Sequence, residues 1–319
     1  MYSPPSLVSD KHPAYSLLLI FGAVFLGFAL IGPLIGMQLG SIFYEGDLMK
    51  DLANMGGAGD RGFFYALMIV QGAATGIGLI LIPWLQLLGN RKELAPFFPS
   101  AYRLPFVLLV ITVLGFNYIA AMSPIVEWNA NLQFPESLEW LEKIVRAQED
   151  QLAGFTKAAT QFESVSDLLL GLLVIAVLPA IGEELVFRGL IQNEFWRGSK
   201  NIHVAIWVSA FIFSAIHTQF YGFVPRVLLG ALFGYLYYWS GNLLIPIFAH
   251  LFNNAFGVIG IYLQQRGLID IDVEEAEALP WPAVLMGAIL TVLLLIYLWK
   301  FFSQHYARPG ARADHDAFE

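Results

Sequence analysis

Two adjacent carboxylates, two histidines and one asparagine are costly to keep where this sequence puts them. Glu183 and Glu184 follow an uncharged apolar run from Leu168 to Gly182, and Arg188 comes four residues after Glu184. A single acid at the centre of a membrane-length helix costs about 2.5–3.5 kcal/mol on insertion scales, so a pair of them calls for a reason. Arg188 is placed to neutralise Glu184 one turn away, which leaves Glu183 for other work. An ion pair that only locks two helices accounts for one carboxylate and not for both. His217 closes a second apolar stretch, Phe213-Ser-Ala-Ile-His217. His250 lies within a third, and Asn254 follows it at the i,i+4 spacing that sets both on one helix face. The remaining histidines, His12, His203, His305 and His315, fall in expected loops or tails.

The chemistry open to such a set is general acid–base work on water. A glutamate in an apolar pocket is a competent general base or acid, and a neutral histidine can share a water with it. A second histidine and an asparagine can donate to the oxygen that gains charge when water attacks a peptide carbonyl. The same donors, Glu183, His217 and His250, also make a conceivable ligand set for a divalent metal such as zinc, although the HExxH spacing is missing. With no cysteine in the chain, thiolate metal sites and a cysteine nucleophile are excluded. Proton-coupled transporters also bury acids and histidines, but no repeated halves or paired broken helices are visible here. A non-catalytic scaffold or immunity protein has no need of Glu183 and His217.

The elements that carry these residues are read from composition. Of 319 residues, 57% are hydrophobic and 13% charged, against roughly 25% charged in an average soluble domain, so lipid is the expected solvent. The fold class is all-α, a polytopic membrane protein with a bundle of about eight transmembrane helices, because backbone groups in lipid must be satisfied internally and no barrel-strand alternation is present. The spans are expected at Tyr15–Ile42, Phe63–Leu88, Leu104–Met122, Leu168–Phe187, Val204–Ile216, Val227–Trp239, Leu243–Leu263 and Trp281–Phe302. The fifth and sixth are short, and the first reads as a retained anchor. Pro179 removes the donor that would bond the carbonyl of Ile175, so a kink is expected just before the acids. An amphipathic segment from Pro135 to Phe162, with Leu138, Leu141, Ile144 and Val145 at helical spacing, is expected outside the membrane.

Lys11, Arg91, Lys92, Arg103, Arg197, Lys200, Lys300, Arg308 and Arg312 all fall on one side of such a bundle, while acids dominate the other. The positive-inside rule then puts both termini in the cytoplasm. Glu183 lies 14 residues before Arg197, and His217 lies 14 after His203, about 21 Å from that side in each case at helical rise. His250 is expected about 12 Å in, so one shared cavity in the cytoplasmic half or at the midplane is the expectation. The formal net charge of −8 argues against a nucleic-acid partner.

Three motifs in order, Glu183-Glu184-Leu-Val-Phe-Arg188, Phe213 to His217 and His250 to Asn254, resemble those of the CPBP intramembrane proteases. That family includes the type II CAAX prenyl endopeptidases and bacterial bacteriocin-processing and self-immunity proteins. The resemblance implies an intramembrane metallo- or glutamate endopeptidase that cuts a membrane-associated protein or peptide, in a bacterial inner membrane. It further implies that Glu183 and His217 activate water while His250 and Asn254 stabilise the oxyanion. Glu184 and Arg188 support the site, Phe213 packs beside it, and a divalent metal such as zinc is an implied cofactor. The resemblance covers the expected protease core, residues 165–265; the span reading adds N-terminal spans over residues 1–125, an extramembrane segment over 126–164 and a last span with its tail over 266–319.

Overall fold

A computed structural model describes residues 12–54, 57–89, 97–98, 103–270 and 277–305. Lys11, Arg91, Lys92, Arg308, Arg312 and His315 lie outside the described residues. Among the described residues, six helices are long and apolar enough to cross a membrane: α1 (Pro13–Gly40), α3 (Arg61–Leu88), α4 (Leu104–Ala130), α6 (Val165–Ser199), α9 (Leu244–Gln265) and α10 (Trp281–His305). Between them lie α2 (Leu48–Asn54), α5 (Glu139–Ala159), α7 (Ile202–Ala215) and α8 (Phe223–Ser240). The protein is an all-α, polytopic membrane protein. The two spans expected to be short are α7, with 14 residues, and α8, with 18. Neither meets the length and hydropathy of the other six. The expected boundary at residue 125 falls inside α4, which continues to Ala130 through Pro124.

The centre of the bundle is α6, whose residues Leu185 to Gln192 are buried without exception. A helix that is apolar on every side needs neighbours on every side. Ile20 of α1, Leu79 of α3, Phe213 of α7 and Tyr237 of α8 join Leu185, Val186 and Leu190 in one buried cluster. A second cluster fastens α4 and α10 to α8 and α9 through Val107, Ile111, Phe233, Ile245 and Leu298. The expected protease core is therefore packed into its neighbours on both flanks. Around the outside, Leu18, Phe25, Leu34, Leu285 and Ile289 are exposed, an apolar perimeter suited to lipid.

The two ends of the bundle are each tied together by polar contacts. On the side of the short α6–α7 turn, Arg197 donates to Ser16 at 3.2 Å and Trp196 meets Tyr238 edge-on. His203 sits here in the first turn of α7, bonded to Tyr235 at 2.8 Å, and His305 is the last residue of α10, so neither is in a loop. At the opposite side, Arg61 pairs with the buried Asp167 at 2.7 Å, and Arg266 donates to the carbonyl of Glu163.

The amphipathic segment forms the helix α5. Leu138 and Ile144 are exposed, whereas Phe155, Ala158 and Ala159 face the bundle. Its other half is fastened by polar groups. Glu142 accepts from Arg146 and from the amide of Phe134, and the Arg146 bond holds its carboxyl below the usual carboxylate range. Glu149 accepts from the amide of Tyr221 at 3.0 Å, and Gln148 donates to the carbonyl of Thr218 at 3.2 Å. Thus α5 is latched onto the turn between α7 and α8.

Candidate active site

The site forms because α7 stops short. After 14 residues its backbone turns out at Thr218, at a φ of 55°, with His217 held in the final turn. The α7–α8 turn therefore does not reach the far end of the bundle, and the space left is covered by α5. The result is a cavity of about 620 Å³. Glu183, His217, His250 and Asn254 line it, with Phe155, Thr156 and Ala159 of α5 and the following Thr160 on the covering side. Glu183 lies 18 residues from Val165 and 16 from Ser199, the midpoint of its helix. The cavity extends from there toward α5, away from the end that carries His12 and His305.

The two carboxylates face different partners, as successive helical positions about 100° apart require. Glu184 is fully buried, and its Oε1 accepts from Arg188 Nη1 at 2.6 Å and from His250 Nδ1 at 2.8 Å. Arg188 also donates to the carbonyl of Gly230 at 2.9 Å, and its guanidinium lies over Phe213 and Phe233 at 4.6 and 5.4 Å. Phe213 thus packs between the cation and both histidine rings. Glu183 has no such bond. Its Oε2 lies 4.0 Å from His217 Nε2 and 3.8 Å from His250 Nε2.

Those two separations are too long for hydrogen bonds and suit a shared water. An oxygen about 2.8 Å from each group would subtend an angle of about 90° between them. The partners of the histidines decide which nitrogen faces that point. His217 Nδ1 donates to the carbonyl of Phe213 at 2.7 Å, which leaves Nε2 as an acceptor when the ring is neutral. His250 Nδ1 is directed at Glu184, so its Nε2 is turned to Glu183.

Asn254 is oriented through Pro179. The expected break takes the form of a π-helical stretch, Leu172–Val177, directly before Leu178 and Pro179. Because Pro179 cannot bond the carbonyl of Ile175, that oxygen is open to another donor, and Asn254 Nδ2 approaches it at 3.5 Å. Asn254 Oδ1 accepts from Asn253 at 3.3 Å. One amide hydrogen of Asn254 is then left for the cavity.

A zinc ion with ligands at about 2.0–2.1 Å sets tetrahedral neighbours about 3.4 Å apart. The donors around Glu183 stand wider than that, and no group of three or more His, Asp or Glu among the described residues is placed to hold a metal. The donor set does not fit an ion as it stands, and no step is derived through one.

Sequence reading missed Gln71, Arg226 and Asn253, which line the same cavity, and Asn129, which builds it. Buried Asn129 donates to the carbonyl of Phe220 at 3.1 Å and accepts from Val224 at 2.8 Å, and so fixes the turn into α8. All four are polar groups within or next to apolar spans, which was the available signal.

Residues 165–256 match the family model described as Type II CAAX prenyl endopeptidase Rce1-like, and all three motifs fall within them. The uncharacterized protein YpbD of Bacillus subtilis is 30% identical over 112 residues, which are 33% of this chain and 54% of that protein. The membrane-embedded CAAX protease MroQ of Staphylococcus aureus is 31% identical over 100 residues, 30% of this chain and 40% of its own. The chain thus spans about half the length of the curated relatives it matches. No solved structure matches. The resemblance read from the motifs holds over this stretch.

Proposed function

We propose, from the premise of an Rce1-like core, that this chain is an intramembrane endopeptidase that cuts a membrane-associated peptide with water activated by Glu183. The observation that carries the reading is the placement of Glu183 Oε2 at 3.8 and 4.0 Å from two imidazole nitrogens, in a cavity beneath α5. A water between Glu183 and His217 has an acceptor for each of its protons. Its lone pair is then free to attack the peptide carbonyl carbon as Glu183 takes one proton. The developing oxyanion receives hydrogen bonds from the free amide hydrogen of Asn254 and from Nε2–H of His250. His250 is held for that role between the two carboxylates, with its Nδ1 2.8 Å from Glu184 Oε1. Collapse breaks the C–N bond, and the proton held by Glu183 passes to the leaving amine.

The division between sealed and open groups supports these roles. Glu184 and Arg188 are 0 and 1% exposed, whereas Glu183 and His217 retain 15 and 29%. Charges that only position others gain from exclusion of water, while charges that use water must reach it. With both termini in the cytoplasm, as the basic residues favour, the cavity would receive its peptide from the side of α5.

The test is a comparison of membranes carrying the wild-type protein or Glu183→Ala, by quantitative peptide mass spectrometry of the membrane fraction. A precursor that accumulates in the variant and is cut by purified wild-type protein is the expected result. Equal precursor levels together with equal processing in vitro refute the proposal.

A further inference from the structure

Arg226, in the first turn of α8, lines the cavity that holds Glu183 and His217, yet none of the steps above uses it. Its Nη2 donates to Gln219 Oε1 at 2.6 Å. Its Nη1 is buried and has no hydrogen-bond partner among the described residues. No described carboxylate lies within 4 Å of its guanidinium. Arg188 shows what a structural arginine looks like in this bundle, since it is saturated by a carboxylate, a carbonyl and two aromatic faces. Arg226 has one amide oxygen in place of all these.

A cation kept within a bundle of apolar helices is costly, and an unmade bond to a buried donor adds to that cost. Glu183 and Glu149 act on this cation only through space, neither lying within 4 Å of its guanidinium. Glu183 is the carboxylate that lines this cavity, and its Oε2 lies 4.0 and 3.8 Å from the two histidines. A guanidinium is a planar fork that binds carboxylates through two parallel N–H bonds, and Arg226 has one arm of that fork unused.

We infer that Arg226 is a substrate-binding residue for a carboxylate, and that the peptide received by this cavity carries one near the bond to be cut. The inference rests on the peptidase reading for the kind of ligand. The carboxylate has two possible sources, a free C-terminus or an Asp or Glu side chain. Gln219 holds the guanidinium from behind. Asn129 fixes the turn that carries both, which gives this otherwise unassigned buried asparagine a place in recognition.

The experiment uses the full chain in detergent with the Glu183→Gln substitution, so that binding is read without turnover. Three forms of one fluorescein-labelled apolar hexapeptide serve as probes: a free C-terminal carboxylate, a C-terminal amide, and the amide with one internal glutamate. Fluorescence anisotropy should show at least one carboxylate form binding tenfold or more tighter than the plain amide. That preference should vanish in Arg226→Gln and survive in part in Arg226→Lys, with each variant's melting temperature recorded as a folding check. The form that binds best identifies the source. Equal binding of all three forms, at any affinity, or a preference that persists in Arg226→Gln, overturns the inference. The peptidase reading is scored separately with wild-type Glu183. A carboxylate preference without hydrolysis sinks that reading alone, and equal cleavage of carboxylate and amide peptides by wild type and Arg226→Gln sinks this one alone.

Discussion

Glu183→Gln and Glu184→Gln remove the same charge from neighbouring residues, and the structure gives them opposite consequences. Glu184 is fully buried, and its Oε1 receives bonds of 2.6 and 2.8 Å from Arg188 and His250. Replacing it with glutamine leaves the Arg188 guanidinium with the Gly230 carbonyl and two rings, a buried cation without a counterion. Breaking a buried pair in this way costs about 3–5 kcal/mol. Unfolding entropy of about 2.1 cal/mol/K per residue over 319 residues is roughly 0.7 kcal/mol/K, so the melting temperature should fall by roughly 4–8 °C. Glu183 makes no comparable bond, the nearest histidine nitrogens being at 3.8 and 4.0 Å. Glu183→Gln should therefore melt within about 1 °C of wild type, or above it, while cleavage is lost. The assay is tryptophan-fluorescence melting in detergent, with peptide cleavage measured on the same preparations. As a further control, Glu184→Gln with Arg188→Met removes both charges and should recover part of the loss. A stable Glu184→Gln beside a destabilised Glu183→Gln would refute the division of labour argued here.

Three other outcomes are expected. The chain has no cysteine of its own, so Asp150→Cys should be labelled by an impermeant maleimide in intact cells. Labelling only after permeabilisation would place α5 and the cavity on the cytoplasmic side. Dialysis against EDTA or 1,10-phenanthroline should leave cleavage unchanged, because the donors around Glu183 stand too far apart for an ion; loss that added zinc restores would put a metal at Glu183, His217 and His250. A Cβ at Gly32 would fall 2.5 Å from Ala74 Cα, and one at Gly36 would fall 2.6 Å from Val70 Cα. Gly36→Leu should therefore push α1 from α3 and lower stability by about 1–3 kcal/mol, read as a lower melting temperature with the active-site residues untouched.

Much of the site was legible in the sequence because its logic is local to single helices. An apolar run of membrane length followed by two acids, with a cation four residues on, dictates that one acid is paired and the other is not. That follows from 3.6 residues per turn whatever surrounds the helix. The placement of His250 and Asn254 on one face is local in the same sense. The missed residues belong to contacts between helices. Arg226 stands one residue outside the expected span Val227–Trp239 and so was never weighed as an intramembrane charge. Asn129 lies beyond the expected end of its span at Met122. The periodicity of Leu138 to Val145 marked α5 as a helix without naming what it packs against; Phe155, Ala158 and Ala159 make that contact.

By itself, then, the sequence determined the solvent, the helical class, the order of the motifs and the split between Glu183 and Glu184, all of which depend on composition or on residues within two turns of each other. Only the tertiary structure decided that His250 stands between the two carboxylates, that Asn254 takes the carbonyl left open by Pro179, and that α5 covers the gap left by a short α7. The first two join groups 66 and 79 residues apart in the chain, and the third joins different helices. Hydrophobic periodicity names the buried face of a helix but not the neighbour that buries it, since apolar contact is not directional.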